Sequence, residues 1–71
     1  MYANMYNDSM KKHMLTIRVT KNSDKVISYN LFIPYAVLSQ SRLETVIKNE
    51  AERWNVSKLC VAITYIKELE G

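Results

Sequence analysis

One cysteine, one proline and one glycine are all that this chain of 71 residues contains, and each scarcity removes a class of structure. With Cys60 alone there is no internal disulfide, and with His13 the single histidine the usual four Cys or His ligands of a structural zinc site cannot be assembled. The one glycine is Gly71, so no glycine-rich loop is available to cradle phosphates. No apolar run approaches the roughly 18 residues that cross a bilayer. No long apolar stretch precedes Lys11 and Lys12, as it would in a secretory signal. A lone thiol fits a reducing compartment. The expectation is a cytoplasmic protein with no membrane attachment and no cofactor.

Small size has its own consequence. A domain of this length buries only about 60% of the surface its unfolded chain exposes. Chains below about 70–80 residues are commonly stapled by disulfides, a metal or a second copy. The first two are removed by composition, which leaves self-association as the expected source of further burial.

Charge is modest and uneven. The net charge is +3, and the surplus lies wholly within residues 1–30, where Lys11, Lys12, Arg18, Lys21 and Lys25 outnumber Asp8 and Asp24. These five cations are the candidate contacts for nucleic acid. They fall short of the dense basic stripe that marks most nucleic-acid proteins. Lysine outnumbers arginine, and Asn, Ile and Tyr are frequent, a usage resembling AT-rich bacterial and phage genomes.

What is present is a change of hydrophobic period. Residues 14–20 alternate, with Leu15, Ile17 and Val19 on one side and Thr16, Arg18 and Thr20 on the other, as in a half-buried strand. Lys21-Asn22-Ser23-Asp24 supplies turn chemistry. Residues 25–33 alternate again, with Ile27, Tyr29, Leu31 and Ile33 inward, and Pro34 ends that strand by removing a donor. Ser41-Arg-Leu-Glu44 has the form of a capping box. Leu43, Val46, Ile47, Ala51 and Trp54 then mark one face of a helix over residues 41–54, with a Glu44–Lys48 pair on its exposed side. Residues 58–67 return to alternation, with Leu59, Val61, Ile63 and Tyr65 inward.

The order is therefore β-β-α-β, an α+β fold with a three-stranded, mainly antiparallel sheet and one helix packed on one face. The crossover through the helix places the last strand beside the first, giving strand order 2-1-3. Residues 1–13 read as a flexible tail and residues 14–71 as the single domain. The uncovered face should carry Phe32, Cys60, Ala62, Thr64 and Ile66, which form the candidate interface. The last strand, at an edge of the sheet, invites a symmetric copy of itself.

Catalytic chemistry finds little footing. A nucleophile needs a base within hydrogen-bond reach, and the only histidine, His13, is expected at the mouth of a mobile tail, as a solvated residue. Cys60 reads as an apolar strand residue. Glu50 reads as a rim position bordering the helix's apolar face, and Trp54 as core. No catalytic, cofactor or metal residues are assigned. The expectation is a non-catalytic interaction module, a homodimer with an unidentified protein partner, in the setting of a phage or mobile element acting on a host factor. The alternative is a nucleic-acid binder using the basic first hairpin and the tail.

Overall fold

The computed structural model describes residues 12–69. Three strands, β1 (His13–Asn22), β2 (Lys25–Ile33) and β3 (Val61–Glu68), form one antiparallel sheet in the order β2-β1-β3, with helix α1 (Gln40–Trp54) on one face. This is the expected small α+β fold. Residues 1–11 of the expected tail lie outside the described residues.

β1 is central, paired with β2 on one side and β3 on the other. Leu15, Ile17 and Val19 are fully buried beneath α1, and Ile33, Ala51 and Val61 close the core around them. The helix contributes Leu43, Val46, Ile47 and Trp54 to the same cluster, the face that its period requires. Ile27, Tyr29 and Leu31 of β2 and Ile63 of β3 are only half-buried against that core.

β1 begins one residue earlier than expected, and His13 is the reason for a correction. It is a buried strand residue, not a solvated tail residue, and its Nδ1 lies 2.8 Å from the Tyr35 carbonyl oxygen. That oxygen only accepts, so Nδ1 carries the hydrogen. Lys12 is held on both sides: its amide donates to the Ile33 carbonyl at 2.9 Å, and its carbonyl accepts from the Leu69 amide at 2.8 Å.

The helix starts at Gln40 with Ser39, not Ser41, as N-cap. Ser39 Oγ accepts from the Arg42 amide at 3.2 Å. Ser41 and Glu44 therefore sit inside the first turns, and Glu44 accepts from the Gln40 side chain at 3.2 Å instead of pairing with Lys48. The helix ends as its sequence indicates. Asn55 takes the left-handed conformation (φ 57°), its amide bonds the Glu52 carbonyl and the Val56 amide bonds the Ala51 carbonyl, which is the Schellman arrangement. Lys21 Nζ donates to the Trp54 carbonyl at 3.0 Å, placing a cation at the negative end of the helix dipole.

A single extra residue reshapes β3. Ile17 pairs with Ile63 while the adjacent Thr16 pairs with Tyr65, so Thr64 is a bulge. Directly paired residues share a face of an antiparallel sheet. Beyond Thr64 the alternation is thus inverted: Tyr65 joins Thr16 on the face away from the helix, and Ile66 joins Leu15 on the helix side. Leu59, expected to point inward, is 96% exposed because Lys58–Cys60 form a 3₁₀ turn ahead of the strand.

Candidate functional site

Three features of the sheet are candidates for function: the face away from α1, the two edges, and a groove beside β2.

The far face can be read row by row from the pairing. Ser28, Arg18 and Ala62 form one row; Asn30, Thr16 and Tyr65 the next; Phe32, Met14 and Lys67 the third. Val26 stands beyond them opposite Thr20. Of the expected interface residues, Phe32 and Ala62 lie on this face. Thr64 occupies the bulge and donates its hydroxyl to the Thr16 carbonyl at 3.3 Å. Two assignments need correction. Cys60 is half-buried in the 3₁₀ turn, off the sheet surface. Ile66 lies on the helix side because of the bulge, and is 44% exposed. Tyr65 takes the place that Ile66 was expected to hold, and it is 55% exposed. The signal for this was weak: only a bulge separates the two readings, and both residues are apolar enough for either face.

The candidate cations do not share one surface. Lys11 lies outside the described residues, and Lys12 is half-buried with its backbone tied into the sheet. Arg18 is exposed on the far face. Lys21 is committed to the helix end, and exposed Lys25 opens β2 on the helix side of the sheet by its alternation with Ile27.

On the helix side, sequence reading missed a polar cluster. Trp54 Nε1 donates to the Tyr29 hydroxyl at 2.9 Å, and that hydroxyl in turn donates to Glu50 Oε1. Arg53 Nη1 lies 3.6 Å from the same oxygen. Glu50 is only 7% exposed, so it is no rim residue: the cluster lets a carboxylate sit at the edge of an apolar core. Burial first, and the hydrogen bond to Glu50 second, push the Tyr29 phenol above its ordinary pKa of 10.0. The clue was available, since a tyrosine at a core position needs a partner for its hydroxyl. Every donor in the chain from indole to carboxylate is used, which is the mark of a structural brace.

Between the outer half of β2 and the helix lies a groove of about 410 Å³. Leu31, Ile33 and Val46 form its apolar walls. At one end the Arg42 guanidinium stacks 3.8 Å from the centre of the Tyr35 ring, and Glu50 contributes to the lining. Among the described residues no group of His, Cys, Asp or Glu is arranged to hold a metal ion, and no helix is long and apolar enough to cross a membrane. Comparison with protein-family models, curated proteins and solved structures finds no match to this chain.

Proposed function

We propose that the protein is a small, non-catalytic protein-interaction module that works as a homodimer and engages another protein through its sheet. The observation that supports this reading is the distribution of apolar surface. Val26, Phe32 and Tyr65 are exposed together on the face opposite α1, and no described element between residues 12 and 69 covers that face. Exposed aromatic and aliphatic side chains gathered on one surface are the ordinary material of a protein contact. Small size and Lys- and Asn-rich usage favour a cytoplasmic accessory protein of a phage or mobile element, directed at a host factor. The test is light scattering at high micromolar concentration, with Tyr65→Ala compared in partner capture. Twice the chain mass, and capture lost in the variant while its circular dichroism is unchanged, support the reading. A single chain mass at every concentration counts against it.

A second reading draws on the bulge. Tyr65 shares its face with Arg18, and an aromatic ring beside a cation offers a surface on which an unstacked base can lie. It predicts binding of single-stranded nucleic acid that falls steeply with salt. A gel shift at low salt that shows no complex at about ten micromolar protein removes it.

A further inference from the structure

The two edges of the sheet are not equivalent. Natural proteins keep edge strands from pairing with charges, prolines and bulges. β3 has such devices: the bulge at Thr64, followed by Lys67 and Glu68. β2 has none along its length. From Val26 to Ile33 it carries no charge and no proline, and the irregularity at its hairpin end falls on β1, between Thr20 and Asn22. Nine residues of regular strand thus form an edge that, among the described residues, has no guard except Lys25 at its start. An edge of this kind is a template for another strand.

Beside that edge is the groove, and its chemistry says what the incoming strand carries. Glu50 Oε1 is occupied by Tyr29 and Arg53. Oε2 accepts from no described residue, and Glu50 is one of the residues lining the groove. An apolar wall with an available carboxylate oxygen suits a strand that alternates aliphatic residues with a lysine. β2 is itself such a strand: its helix-side positions are Lys25, Ile27, Tyr29, Leu31 and Ile33.

We propose that a second copy of this chain adds its β2 antiparallel to β2, about a twofold axis at Tyr29, to make a continuous six-stranded sheet. This rests on the homodimer reading above and names the surface that forms it. Pairing about Tyr29 sets Ile27 across from Leu31, Ser28 across from Asn30, and Lys25 across from Ile33. Because opposed residues share a face, the half-buried Ile27, Tyr29 and Leu31 of each copy cover one another on the helix side. Ser28 meets the side-chain amide of Asn30 on the far face. Lys25 enters at the Ile33 end of the opposite groove, whose lining carries the Glu50 carboxylate and also the Arg42 guanidinium stacked on Tyr35. Each contact occurs twice by symmetry. Self-association by this route also leaves Tyr65 on the far face for a different partner.

Cross-linking in a Cys60→Ser background tests both edge and register. Ser28→Cys and Asn30→Cys are prepared separately and then mixed in a glutathione redox buffer. Opposed residues in an antiparallel pair lie about 4.5–5.5 Å apart at Cα, within the range a disulfide spans. The expected result is a disulfide-linked dimer in the mixture and none in either variant alone. A disulfide in one variant alone would overturn the register about Tyr29 and with it the Lys25–Glu50 contact. A dimer by light scattering that forms no disulfide in any of the three samples would overturn the β2 edge and leave the homodimer reading standing. A monomer by light scattering removes both. Lys25→Glu, at an exposed position, should weaken the dimer by roughly tenfold or more, since reversal turns attraction into repulsion. An unchanged dimer would overturn the proposed charge contact.

Discussion

The indole nitrogen of Trp54 and the phenol oxygen of Tyr29 are 2.9 Å apart, with the indole as donor. That bond orients the phenol so that its own hydrogen goes to Glu50, and it ties the last turn of α1 to the middle of β2. The rings are tilted against each other at 5.8 Å between centroids, so the same pair also contributes to core packing.

Tyr29→Phe should therefore cost more than a surface substitution. It leaves an indole N–H without its acceptor and takes one of two partners from a poorly exposed carboxylate oxygen, a penalty of about 1–3 kcal/mol. Urea denaturation, compared with the native chain at neutral pH, measures it. A loss below a few tenths would mean that water replaces the hydroxyl freely.

Alkaline pH should act through the same residue. The folded state raises the Tyr29 pKa, so the protonated phenol is favoured more in the folded chain than in the unfolded one. Its contribution is complete below the unfolded value of 10.0 and is lost as pH rises through the higher folded value. The melting temperature should fall as pH climbs past 10.0, and less so in Tyr29→Phe. Parallel profiles for the two proteins would refute the assignment to Tyr29.

At the helix end, Asn55 occupies the left-handed region, where a β-carbon is costly and asparagine or glycine is tolerated. Asn55→Gly should leave stability near the native level. Asn55→Ala should cost about 1 kcal/mol, read from thermal or urea unfolding.

The bulge makes a paired prediction for β3. Ile66→Asp places a charge on the helix side opposite Leu15, whereas Tyr65→Asp places one on the far face opposite Thr16. The first should destabilise the fold more than the second, despite similar exposure. Strict alternation predicts the reverse, so the order of the two unfolding midpoints distinguishes them.

The legible parts of this fold were those with redundant signals. Leu43, Val46, Ile47, Ala51 and Trp54 repeat at one helical period, and Leu15, Ile17 and Val19 at one strand period; strand order then followed from connection rules. The bulge was not legible because Ile63-Thr64-Tyr65-Ile66 satisfies alternation equally well with or without an extra residue. Ser41 and Ser39 compete for the same cap, and the position of the preceding connector decides between them. His13 was misplaced because a polar residue at a strand's start resembles a tail until a carbonyl such as that of Tyr35 is shown to meet it. The Tyr29–Glu50 contact joins residues 21 apart in sequence, which no local period reveals.

Lys12 and Leu69 are hydrogen-bonded neighbours at one end of two adjacent antiparallel strands. Tension applied between these two residues would open the β1–β3 ladder like a zipper, one rung after another from that end. Bonds loaded in series share no burden, so the fold should yield to small forces along this line and release β3 before β2.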